Sequence, residues 1–234
     1  MNAVPFGVLL LACACAAGCE AGRTVSTTPS STPAAVTTGG PVRLKGEAWA
    51  DNWFAMYVGD RKVAEDSVPI TTERSFNAET FTFEATLPAT VGLVLRDYIQ
   101  DDTGLEYIGT PNQQMGDGGF ILQLTDAATG RLVAVTDARM RCLVIHAAPL
   151  NPSCEKSATP ATTCQSRILT EPEGWRAPGF DDAAWLPATT YTPAQVGVKD
   201  GYTTIRWDAS ARLVWSADLK VDNTLLCRLR VESP

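Results

Sequence analysis

Period-two alternation of apolar and polar residues dominates the chain after residue 42. Over residues 79–86, Phe81, Phe83 and Ala85 fall on one face while Thr80, Thr82 and Glu84 fall on the other. The same pattern groups Val91, Leu93 and Leu95, then Phe120, Leu122 and Leu124. It ends with Leu225, Cys227, Leu229 and Val231 inward and Arg228 and Arg230 outward. Side chains along a strand alternate between faces, so each segment predicts a half-buried β-strand. Helical periodicity is confined to one or two short turns. Short strands with one apolar face each need a second sheet to cover them. The pattern therefore predicts an all-β fold, a β-sandwich or jelly roll with one or two short helical turns.

Upstream of these strands the composition changes twice. Residues 1–19 hold an apolar run of about a dozen residues, the length of a signal-peptide core and too short to span a bilayer. The run ends Ala16-Ala17-Gly18-Cys19, which resembles a bacterial lipobox with Cys19 as the lipidated residue. Ala16 stands where Leu is usual, and no Lys or Arg precedes the run. A secretory signal cut near Gly18 or Gly22 is the alternative. Residues 20–41, rich in Thr, Ser, Pro and Ala, cannot bury enough apolar surface to offset the entropy of ordering. They read as a tether that, with a lipid anchor, would hold the domain at a membrane. Residues 42–232 form the remaining unit, long enough for one sizeable core. A net charge of −7 argues against nucleic acid as a partner.

Seven cysteines fit an exported protein. Three lie within residues 1–19, and four remain after cleavage at Cys19. Cys227 lies on the inward face of the last strand and Cys142 enters a strand after Asp137. The expected bonds are Cys142–Cys227 and Cys154–Cys164, the second closing an insertion over residues 149–168. No pair has C-x2-C spacing and there is one histidine, so a zinc finger is disfavoured.

Two motifs carry a family resemblance. Trp175-x4-Phe180-Asp181-Asp182-x2-Trp185 holds a Pro178-Gly179 break just before Phe180, and Asp181 or Asp182 is expected to cap a short helical turn. Earlier, Asp51-Asn52-x4-Tyr57-Val58-Gly59-Asp60-x2-Val63 reads as a hairpin turning at Gly59-Asp60. With Gly118-Gly119-Phe120, Thr136-Asp137, the 211–216 segment and Leu226-Cys227-Arg228 in that order, the chain resembles galactose-binding-like β-sandwich domains. Among these are the accessory modules of bacterial α-L-rhamnosidases. The resemblance spans most of residues 44–231 and implies a galactose-binding-like jelly roll. The 149–168 insertion departs from the family pattern.

Catalytic signatures are absent: no G-x-S-x-G, no H-E-x-x-H and no phosphate-cradling glycine loop. His146, at a strand end, reads as a structural hydrogen-bonder. Function is then expected in the long loops, 64–78 and above all 97–118. The second collects Asp102, Glu106, Tyr107 and Gln113 as candidate ligand contacts, with Asp102 and Asp117 as candidate metal ligands. Carboxylates and amides suit sugar hydroxyls or a structural calcium ion, and tyrosine suits a pyranose ring. The expected function is an exported, lipid-anchored, non-catalytic module binding carbohydrate or another cell-envelope component. A protein-interaction domain of the envelope and a small glycan-active enzyme are the alternatives.

Overall fold

The structure, a computed structural model, describes residues 40–72 and 74–233. The expected signal peptide, Cys19 and the expected tether through residue 39 lie outside the described residues. Among the described residues the strands are β1 (Val42–Asp51), β2 (Trp53–Val58), β3 (Arg61–Glu65), β4 (Phe76–Ala85), β5 (Ala89–Arg96), β6 (Leu105–Glu106), β7 (Gln114–Met115), β8 (Gly119–Asp126), β9 (Leu132–Val135), β10 (Arg141–Ala147), β11 (Arg167–Ile168), β12 (Leu186–Pro187), β13 (Thr189–Tyr191), β14 (Leu213–Trp215) and β15 (Asp222–Val231). Two antiparallel sheets pack as a β-sandwich. The first runs β13-β14-β8-β1-β4 with β9 also on β8. The second runs β11-β10-β15-β5-β2-β3 with β12 also on β10. Asn52 alone separates β1 from β2, so the chain turns from one sheet to the other at that corner.

The inward faces are those the alternation marks. Leu93, Leu95, Leu225, Cys227 and Leu229 of the second sheet meet Leu44, Phe83, Phe120, Leu122 and Leu124 of the first in one buried cluster. The β2–β3 hairpin turns at Gly59, whose φ of 57° is the left-handed conformation that glycine adopts without a Cβ clash. Cys142 and Cys227 are register partners on neighbouring strands, bonded with their Cα atoms 4.1 Å apart. Cys154 and Cys164 close the insertion around a 3-10 turn (Pro152–Lys156) and a short helix α1 (Pro160–Thr163). Both bonds constrain the unfolded chain, and the one spanning 85 residues does so more than the one spanning 10. Two disulfides place the chain in an oxidising, extracytoplasmic compartment.

Three local expectations need correction. β4 begins at Phe76, so the first long loop is shorter than 64–78. The 97–118 segment is not unstructured, because β6 and β7 pair within it. No helix follows Asp181-Asp182, only the single turn that the Trp185 amide closes on the Asp182 carbonyl at 2.9 Å. Asp181 accepts the Ala183 amide at 3.0 Å in a turn, while Asp182 faces inward toward arginine.

Arg228 faces outward on β15 as the alternation requires, yet is 1% exposed. The 171–185 segment folds over this side of the second sheet. The Trp175 and Trp185 rings, 6.0 Å apart, lie buried against Ala55, Val94 and Leu226. Gly92 makes room for this cover, since a Cβ there would sit 3.0 Å from the Trp175 ring. Beneath the cover, Arg228 Nε donates to Asp182 Oδ2 at 2.8 Å, Nη1 donates to the carbonyls of Trp175 and Ala177, and Nη2 reaches those of Pro178 and Phe180 at 3.5 Å. Burial works to raise the Asp182 carboxyl, but the bonds and charges of Arg228 and Arg230 outweigh it and hold it below the usual range. A second excursion covers the outer face of the first sheet. There Val196, from helix α2 (Pro193–Val196), packs with Trp49, Ile121 and Leu213, and Tyr202 and Trp207 lie against them.

Candidate functional site

The cover over the second sheet stops one row short of its end. Cross-strand partners share a face, so the outer face reads as successive rows. Tyr57, Gly92, Arg228 and Arg141 form one row, and Ala55, Val94, Leu226 and Leu143 the next. Trp175, Arg176 and Trp185 lie over these two rows. The third row runs Trp53, Arg96, Thr224, His146 and Ile168 across five strands. All of this row but Trp53 lines a cleft of about 300 Å³, which Tyr98 and Ile99 at the start of the 97–118 segment also line.

The chemistry of this row is mixed. The Arg96 guanidinium lies over the Trp53 ring, 5.3 Å from its centroid, and makes no ion pair among the described residues. His146 is 6% exposed, its ring nitrogens are buried, and the Asp102 backbone and carboxylate lie against the ring. Burial lowers its pKa, an effect that Asp102 Oδ1, 3.8 Å from Nε2, partly offsets. The ring is therefore neutral near pH 7, with one donor and one acceptor nitrogen. Ile168 is 55% exposed at the rim. A larger recess of about 440 Å³ lies against Trp185 and Leu186, but none of the buried polar atoms without a partner lines it.

Behind the cleft stands a group of carboxyls. Asp97 is buried and neither of its oxygens has a hydrogen-bond partner; the same holds for Asp51 Oδ2. Burial raises the Asp97 carboxyl well above its ordinary range, and the charges of Asp51, Glu106 and Asp117 raise it further. Burial pushes Asp51 up to about 8 against the opposing charge of Lys199, with Asp117 and Glu106 adding to the rise. The Lys199 ammonium stands 3.7 Å from Asp51, 3.9 Å from Asp117 and 4.2 Å from the centre of the Phe76 ring.

The five polar residues expected to share one site are thus distributed. Glu106 and Asp117 join Asp51 and Asp97, Glu106 also accepting from the Gln114 amide at 3.0 Å. Asp102 lies beside His146. The Gln113 amide is engaged within the protein: Nε2 donates to the carbonyls of Glu155 and Ser157, and Oε1 accepts from Gly109. It clamps the disulfide-closed insertion to the loop. Tyr107 is half-buried with φ 53°. The two candidate metal ligands, Asp102 and Asp117, have different neighbours, and among the described residues no three His, Cys, Asp or Glu side chains are grouped as a metal site. Trp53, Arg96, Thr224 and Lys199 were not marked by any sequence motif. Comparison with family models, curated proteins and solved structures finds no match to this chain.

Proposed function

We propose that this chain is a galactose-binding-like jelly roll, exported and lipid-anchored, that binds carbohydrate of the cell envelope without chemical turnover. The observation that carries this reading is the open third row. Beyond the two rows covered by aromatic side chains, it leaves a guanidinium and a hydroxyl beside a cleft with apolar walls. Ligand sites combine an apolar surface with a few convergent polar groups in this way. The guanidinium and hydroxyl suit sugar oxygens, and the isoleucines and Tyr98 suit the apolar face of a pyranose. Among the described residues no nucleophile is paired with a base around the cleft, and the chemistry on offer is recognition.

A glycan array probed with the wild-type domain and with Ile168→Asp tests this reading, followed by a reducing-sugar assay on every hit. The expected result is retention of oligosaccharides by the wild type, at least tenfold weaker retention by the variant, and no release of reducing ends. Ile168 is exposed, so its replacement leaves the core unchanged. Retention of no glycan, or retention unaffected by Ile168→Asp, would remove the cleft as the site. Release of reducing ends would favour the glycan-active enzyme instead.

A further inference from the structure

The cleft carries a charge preference as well as a shape. Arg96 occupies the second place of the open row, with Trp53 on one side and Thr224 on the other. Its guanidinium is held against the indole, 5.3 Å from the ring centroid, which limits its rotamers before any ligand arrives. No carboxylate among the described residues pairs with it. Arg228, on the same face of the adjacent strand, has its charge answered by Asp182. The nearest buried acid on the cleft wall, Asp97, favours its neutral form through burial and offers little repulsion. Asp102 is the exception: its exposed carboxylate lies at the His146 edge of the cleft.

Resting on the binding reading above, we infer that the cleft takes an acidic saccharide, a pyranose bearing a carboxylate, with Arg96 as the carboxylate receptor. Guanidinium meets carboxylate through two parallel N–H···O bonds, a geometry that lysine cannot reproduce. Thr224 then faces the ring hydroxyls. Trp53 is a positioning residue that fixes the guanidinium. Asp102 opposes the ligand's charge, so it weakens binding.

Titration calorimetry with short oligomers of galacturonate, glucuronate and mannuronate, and with the carboxyl-reduced neutral counterpart of each, tests this inference. The expected result is that at least one uronate binds and its neutral counterpart binds tenfold or more weakly, the worth of a charge-assisted bond. Arg96→Gln is expected to abolish that difference and Arg96→Lys to keep part of it. Asp102→Asn, a change at an exposed position, is expected to tighten uronate binding severalfold and leave the neutral sugars unchanged. Equal affinity for a uronate and its neutral counterpart would overturn the acidic preference and leave the carbohydrate-binding reading standing. A preference that survives in Arg96→Gln, or an Asp102→Asn variant that binds uronate no more tightly, would overturn the placing of the carboxylate on Arg96 and likewise leave the carbohydrate-binding reading standing. Binding of none of the six oligomers would overturn both.

Discussion

Asp182→Ala is expected to lower folding stability by about 3–5 kcal/mol, the usual cost of leaving one partner of a buried ion pair alone. Arg228 lies beneath the Trp175–Trp185 cover with its Nε on Asp182 and its other nitrogens on loop carbonyls. Without the carboxylate, a buried guanidinium keeps its hydrogen bonds to carbonyls but loses the charge that answers it. Arg230, which also reaches Asp182 Oδ1 at 3.2 Å, is largely exposed and can turn to water. Urea unfolding followed by tryptophan fluorescence measures the loss, and emission from the native state reports whether the cover has lifted. The double variant Asp182→Ala/Arg228→Met is expected to lose less than the two single changes added together, because removing both charges leaves neither orphaned. A cost below about 1 kcal/mol for Asp182→Ala would mean that the cover is held by its aromatic packing alone.

Stability is expected to fall as pH rises, the reverse of ordinary acid denaturation. Asp51 and Asp97 both bind a proton more tightly in the folded chain than in the unfolded one, because burial disfavours their charged forms. Folding therefore takes up protons. The stabilisation is fully present below the ordinary carboxylate range near 4 and is lost as pH climbs to about 8, where Asp51 ionises. Across that window Asp51 alone accounts for a change on the order of 5 kcal/mol. Asp51→Asn keeps the acceptor oxygen that bonds the Asn52 amide and removes the titration. It is expected to match the wild type near pH 4 and to exceed it by several kcal/mol at pH 9. Chemical denaturation at pH 4, 7 and 9 supplies the comparison. An unchanged difference between the two proteins across that range would show that Asp51 ionises at its ordinary pH.

Which of these features could be read from the sequence depends on the distance over which each is specified. Strand faces are local, so Phe120, Leu122 and Leu124, or Leu225, Cys227 and Leu229, declare themselves by alternation. The Gly59 turn is local for the same reason. The disulfide partners follow from strand position and from the closure of one insertion. Phe76, Asn77 and Ala78 were read as loop because no apolar–polar alternation marks them; their strand character comes from pairing with Asp51, Ala50 and Trp49. Arg228 shows the limit most clearly. Alternation assigns its face correctly, but only the return of residues 171–185 across the sheet makes that face an interior.

The site was hidden in the same way. Trp53, Arg96, Thr224, His146 and Ile168 come from five strands and are neighbours only through register, which no single segment encodes. The 97–118 loop drew attention through its composition, yet it contributes the wall of the cleft at Tyr98 and Ile99, while Gln113 is used to hold the insertion in place. His146 read as an ordinary strand-end histidine, because the burial of its ring nitrogens is a property of packing. Buried carboxyls are equally invisible: Asp51 and Asp97 look like strand-end acids until the corner at Asn52 and the β6–β7 loop close over them.

The most direct test of the open row as the binding site is a nuclear magnetic resonance titration of the domain with a galacturonate trimer, followed on the indole N–H signals of the six tryptophans. The indole of Trp53 is expected to shift in step with the amides of Thr224 and His146. The indoles of Trp49, Trp175 and Trp215, each at most 1% exposed, are expected to stay in place. Shifts centred on residues 107–117 or on Lys199, with Trp53 unmoved, would contradict the assignment and return the site to the acidic loop.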